Sequence, residues 1–201
     1  MVRFPVLERI QVKDYQLYPG APPGSGLDLS LTRGPWLVLG VNGLGKSTLL
    51  LIIRYVLSGP FWVVAAGPSG STRADVISVD RRIFAGRVSD GARGATATLQ
   101  VRFGDLLLTI TRRLDDLAII HCKIGDRLLE GGTEGEERYR EELMHLMGVG
   151  GFADALRILR YLTFLLEQRD GLIWDPRAQS EIFRAVFLPP ESANFVAESG
   201  G

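Results

Sequence analysis

Gly40-Val41-Asn42-Gly43-Leu44-Gly45-Lys46-Ser47-Thr48 sets glycines, a lysine and two hydroxyls at the spacing G-x-x-x-x-G-K-[ST]. The chemistry available to that set is the binding of phosphate. Glycines let a backbone curl until successive N–H groups converge on phosphate oxygens. The start of the following helix adds a partial positive charge. Lys46 is expected to reach the β- and γ-phosphates, and the Ser47 hydroxyl to ligate Mg²⁺. Asn42, Gly43, Leu44, Gly45, Lys46, Ser47 and Thr48 are therefore the candidate nucleotide-binding residues, with ATP and Mg²⁺ as the expected ligands.

A loop of this kind works only between a strand and a helix. Trp36-Leu37-Val38-Leu39 before it is a short apolar run that predicts a buried strand. Leu49 to Leu57 after it is apolar except for Arg54 and Tyr55, which predicts a helix buried on nearly all sides. A chance match in a chain with 24 glycines would not bring both flanking elements with it.

The rest of the chain alternates strand and helix signals. Val6 to Val12 and Leu27 to Leu31 predict strands, separated by a loop over Tyr18 to Gly26. Residues 64 to 95 are rich in Gly, Ser, Ala and Arg with weak periodicity, which reads as a long loop. Thr96 to Phe103 and Leu106 to Arg113 flank Gly104-Asp105, and Leu117 to Ile124 and Arg127 to Leu129 flank Gly125-Asp126. Residues 96 to 130 therefore predict an antiparallel meander of two hairpins. An acidic start at Glu134, Glu136 and Glu137 and an apolar stripe of Tyr139, Leu143 and Leu146 predict a helix that stops at Gly148. Another begins near Phe152. Tyr161 to Leu166 fits a strand or a helix equally well. Asp175 as cap and Pro176 as first residue predict a last helix, ending at Pro189-Pro190.

Composition narrows the class. The 201 residues are 46% hydrophobic, enough for a packed core, and no run of 18 apolar residues predicts a membrane span. Met1 to Pro5 lacks the apolar stretch of a secretion signal. A single cysteine, Cys122, excludes an internal disulfide and suits a cytoplasmic setting. With two histidines and that one cysteine, a zinc site is not expected. Net charge is zero, so the surface as a whole does not attract nucleic acid. Lysine occurs only at positions 13, 46 and 123; every other basic residue is arginine, which codon composition alone would explain. One segment is locally basic: Arg73, Arg81, Arg82, Arg87 and Arg93 face only Asp75, Asp80 and Asp90. Arg81, Arg82, Arg87 and Arg93, with Arg112 and Arg113, are candidate DNA-phosphate contacts. Arg73, Arg81 or Arg82 could instead face the nucleotide, and a solvated loop is the plain alternative.

Leu165-Leu166-Glu167-Gln168-Arg169-Asp170, followed by Trp174-Asp175-Pro176, resembles the glutamine loop of ABC-type ATPase heads. A glutamine there can ligate Mg²⁺ through its oxygen and orient water through its NH₂. On its own, Gln168 would pass for a surface polar residue. With the phosphate loop, the strand Leu7 to Val12 and Met147-Gly148-Val149-Gly150 after a helix, the chain resembles the N-terminal half of an SMC-like ATPase head. That group includes the structural-maintenance-of-chromosomes proteins, the double-strand-break repair ATPases, SbcC, RecN and RecF. The long interval between phosphate loop and glutamine favours that branch over ABC transporters.

The resemblance implies an α/β fold: a P-loop ATPase lobe over residues 1–188, with a mixed sheet around a buried helix, an antiparallel meander and a helical segment. Residues 189–201 would be a tail or linker towards a coiled coil and a C-terminal lobe. Lys46 and Gln168 would be the catalytic residues, with Ser47 and Gln168 on the metal. Two segments such a site needs are missing. Val76-Ile77-Ser78-Val79-Asp80 is followed by Arg81, not by the acidic pair of a Walker B strand, and no Ser-Gly-Gly signature stands in the right place. The expectation is half of a composite ATPase, hydrolysing ATP only with a complementary lobe and a second head, as in a homodimer. DNA, and a nuclease or accessory subunit, are the implied partners, in repair, chromosome organisation or defence against foreign DNA. The competing expectation is a free-standing P-loop regulator or kinase that does not act on DNA.

Overall fold

A computed structural model of the chain describes residues 1–31, 34–63, 76–129, 133–164 and 176–187. The chain divides into two compact units. One comprises Val6–Pro60 and Val79–Tyr139; the other comprises Met1–Pro5, Phe61–Ser78 and Arg140–Gly201.

The first unit is built on a six-stranded sheet. Its strands are β1 (Val6–Lys13), β2 (Leu27–Ser30), β5 (Thr96–Phe103), β6 (Leu106–Arg113), β7 (Ile119–Ile124) and β8 (Arg127–Leu129), in the order β2-β1-β5-β6-β7-β8. Every pairing in it is antiparallel, so the sheet among the described residues is not the mixed one expected. Strict alternation explains how it packs. Ala97, Leu99, Val101 and Phe103 of β5 are buried, as are Leu108, Ile110 and Arg112 of β6, and each intervening residue faces away. The helix α1 (Lys46–Ser58) packs on this sheet against β5 and β6, burying Leu49, Ile52, Val56 and Leu57. Arg54 and Tyr55, the polar interruptions in its sequence, are buried too, with the Arg54 guanidinium 4.9 Å over the Tyr55 ring.

The expected hairpins form at the expected turns. Phe103 pairs with Leu106 across Gly104-Asp105, and Ile124 with Arg127 across Gly125-Asp126. Three expectations are corrected. Trp36-Leu37-Val38-Leu39 is not a strand: it lies unpaired, with Leu37 79% and Leu39 80% exposed. A strand apolar on both faces needs ladder partners at both edges and cover on both sides, and no described segment lies alongside this one. Of the loop expected over residues 64–95, the described part is not all loop, since Val76–Ser78 form β4 and Ala85–Arg87 a turn of 3₁₀-helix; residues 64–75 lie outside the described residues. Leu117 precedes the strand, which starts at Ile119.

The second unit pairs β3 (Phe61–Val63) with β4 in a two-stranded antiparallel ribbon. The helix α2 (Thr133–Met147) gives its residues from Arg140 onward to this unit, which also holds α3 (Phe152–Ile158) and α4 (Pro176–Phe187). The ambiguous segment is helical over Tyr161–Thr163, where Leu159–Thr163 continues α3 as a π-turn with Phe164 N–H bonding to the Leu159 carbonyl at 2.7 Å; Leu165 and Leu166 lie outside the described residues. Arg157, buried, pairs with Asp154 within α3 at 2.6 Å and ties α3 to α4 through Glu181 at 2.8 Å.

Candidate nucleotide site

The loop before α1 turns on two glycines. Gly43 and Gly45 take left-handed φ values of 89° and 81°, and Gly45 is the cap residue of the helix. A side chain at Gly45 would be strained by that φ, and its Cβ would stand 2.6 Å from Leu17 Cδ2. The loop closes on its own lysine: Lys46 Nζ donates to the carbonyls of Gly40 at 2.6 Å and Val41 at 2.8 Å. Asn42, Gly43 and Leu44 make the exposed turn, Ser47 is exposed, and Thr48 is buried. No side chain caps the first turn of α1 and no acidic residue stands in it. Its leading N–H groups are left without a side-chain cap, at the positive end of the helix dipole, an arrangement chemically suited to an anion.

Side chains distant in sequence hold both ends of α1. At its start the Tyr18 hydroxyl donates to the Gly45 carbonyl at 2.7 Å, and Arg87 Nη1 donates to Thr48 Oγ1 at 3.2 Å. Burial pushes the Tyr18 hydroxyl well above the ordinary tyrosine range, so it stays a donor. The segment carrying Arg87 is itself tied down. Tyr15 donates to the Phe84 carbonyl at 3.1 Å, and Gln16 Oε1 accepts from the Ser89 backbone at 3.0 Å and the Ser89 hydroxyl at 2.9 Å. A cavity of about 190 Å³ lined by Tyr15, Gln16, Tyr18, Gly26 and Asp90 lies in the same region.

At the helix end, Arg112 Nε donates to the Val56 carbonyl at 3.0 Å and the Tyr139 hydroxyl to that of Leu57 at 2.5 Å. These carbonyls have no partner within a helix. Arg112 also bonds both carboxylate oxygens of Glu136, at 2.6 and 2.9 Å, and the Leu117 carbonyl at 2.8 Å. It is fully buried, so it is a structural residue and not the DNA contact its sequence context suggested. Its place on the inward-facing side of β6 is the reason.

The other arginine candidates separate. Arg113 is paired with Asp116 and Asp115. Arg81, Arg82 and Arg93 are exposed, and Arg82 and Arg93 line a cavity of about 620 Å³ with Asp90, Asp115 and Asp116. Arg73 and Gln168 lie outside the described residues. Sequence reasoning missed Tyr18 and the Arg87–Thr48 contact. A tyrosine five residues after β1 and an arginine in a Gly/Ser-rich stretch carry no periodic signal, and sequence distance hides their approach to the loop.

No described residues form a group of three or more His, Cys, Asp or Glu able to hold a metal ion. No described helix is long and apolar enough to cross a membrane. Comparison with models of known protein families gives no match, and none of the curated proteins searched matches the sequence.

Proposed function

We propose that this chain binds a nucleoside triphosphate, with ATP and Mg²⁺ as its ligands, and serves as the N-terminal lobe of an SMC-like ATPase head. The observation that carries the reading is the closed loop at the start of α1. Lys46 is folded onto the Gly40 and Val41 carbonyls, and the first turn of the helix is uncapped and free of acidic side chains. Phosphate oxygens would replace those carbonyls as partners of the ammonium and take up the leading N–H groups. Ser47 would ligate the metal, with phosphate, water and Gln168 completing its shell.

The exposure of Trp36 to Leu39 supports the composite half of the reading. An unpaired segment directly before a phosphate loop and apolar at every position is suited to the interior of a larger sheet once it gains ladder partners. A complementary lobe carrying the Walker B and signature segments would supply its neighbours. A second head would close on the γ-phosphate, so that ATP favours the closed dimer and hydrolysis releases it. DNA, where this lobe touches it, would lie along Arg81, Arg82 and Arg93, through phosphates and without sequence preference.

The test is turnover. Phosphoryl transfer needs the water positioned and the developing charge compensated, and the sequence offers no Walker B acidic pair for that. Residues 1–201 alone should hydrolyse ATP at the background rate. Adding a separately expressed lobe with both missing segments should restore turnover, rising more steeply than linearly with protein concentration. Robust, linear hydrolysis by this chain alone would contradict the composite reading.

A further inference from the structure

The two ends of α1 are each held by an arginine and a tyrosine from elsewhere in the chain, and the two arginines stand in opposite electrostatic conditions. Arg112 lies at the helix C-terminus, where a cation is favoured, and a carboxylate neutralises it at 2.6 Å. Arg87 lies at the N-terminus, against the third residue of the helix, where a cation is disfavoured. Among the described residues it makes one side-chain hydrogen bond, to the neutral hydroxyl of Thr48, and no ion pair. Lys46 is a second cation in the same turn, and the first turn of α1 itself holds no acidic residue. Two cations at the positive end of a helix dipole repel each other unless an anion sits between them. The position of Arg87 is nevertheless enforced: the flanking Phe84 carbonyl and Ser89 are bonded to Tyr15 and Gln16.

We propose that Arg87 is a phosphate-contacting residue of the nucleotide site, exchanging the Thr48 hydroxyl for an anionic phosphate oxygen when nucleotide binds. The inference rests on the proposed nucleotide function and extends it to a residue outside the phosphate loop. A charge-assisted bond to phosphate is shorter and stronger than the present bond to a hydroxyl, and a guanidinium suits phosphate geometry better than an ammonium does. The exchange also gives the segment from Asp80 to Arg93 a contact that differs between the empty and filled states, because Arg87 is part of it.

The experiment is calorimetric titration of the full chain with Mg-ATP, for the wild type and for K46A, R87Q, R87K, T48A and T48A/R87Q. Chemical unfolding of each nucleotide-free variant accompanies it. R87Q should raise the Kd tenfold or more, R87K should recover part of the loss, and both should unfold at the wild-type midpoint. The loss from R87Q should persist in the T48A background, since the contact is to phosphate. Wild-type affinity in R87Q, or a loss that disappears once Thr48 is alanine, would overturn the inference and leave the nucleotide reading intact. Should R87Q shift the unfolding midpoint, R87K decides: wild-type stability with intermediate affinity supports the contact, and wild-type affinity overturns it. A wild type that does not bind Mg-ATP, or a K46A variant that binds it equally well, would overturn both.

Discussion

At the scale of single residues, Arg112 shows how one buried charge can organise an element. It satisfies one of the last carbonyls of α1, that of Val56, bonds Glu136 through both oxygens and stacks 5.2 Å over Tyr139. Replacing Arg112 with methionine keeps the bulk but leaves Glu136 and two carbonyls without their donor. Breaking a buried pair from one side costs about 3–5 kcal/mol, and that loss should appear in the urea midpoint at constant slope. A change below about 1 kcal/mol would mean the network is dispensable. Asp28 makes the opposite case, at the surface. Hydrogen bonds from Arg9 at 2.6–2.8 Å and from Gln11 at 2.7 Å hold its carboxyl down at about 2, against the ordinary 3.8. Because the folded value is the lower one, the stability it adds is complete above pH 4 and is lost as pH falls through about 2. Exposure limits it to about 1 kcal/mol or less. Asp28→Asn should therefore flatten the stability profile between pH 4 and pH 2, and parallel profiles for the two proteins would refute this. Neither role was legible in the sequence: an arginine in a strand and an aspartate near a loop look like surface residues until a partner from another strand or helix is placed beside them.

At the scale of elements, local signals were legible and nonlocal ones were not. Gly104-Asp105 and Gly125-Asp126 mark their turns because a two-residue connection leaves the chain few alternatives, and the hairpins follow. The apolar stretch after Lys46 forms its helix for a similar reason. The order of the sheet, with β1 between β2 and β5, depends on strands far apart in the chain and has no local signature. Trp36 to Leu39 shows the limit from the other side. Its sequence describes a strand buried on both faces, but burial is a property of neighbours. Tyr161 to Thr163 was undecided because its apolar spacing suits two periods, and continuation of α3 as a π-turn resolves it. The junction between loop and helix α1 can be tested as an element. Gly45→Ala places a methyl group 2.6 Å from Leu17 Cδ2 and 3.0 Å from the Tyr18 hydroxyl, at a φ of 81° that costs an L-residue about 1–2 kcal/mol. The variant should unfold at a lower temperature and bind Mg-ATP weakly, the first seen by calorimetry and the second by titration. Wild-type values for both would show that the left-handed cap is not required.

At the scale of the whole molecule, the proposed function requires an anion site at the start of α1. Lys46 bonds the Gly40 and Val41 carbonyls, Arg87 bonds Thr48 in the first turn of α1, and that turn is uncapped; the proposed anion site is built from these. The most direct test is thermal unfolding of the full chain with increasing Mg-ATP, comparing the wild type with Lys46→Ala. A ligand that binds only the folded state stabilises it by mass action, about 2.7 kcal/mol at a hundredfold excess over Kd. Among the described residues Lys46 bonds loop carbonyls alone through its ammonium, so the nucleotide-free variant should unfold close to the wild-type temperature. The midpoint should rise with Mg-ATP in the wild type and stay fixed in the variant. No rise in the wild type, or an equal rise in both proteins, would contradict the proposed function.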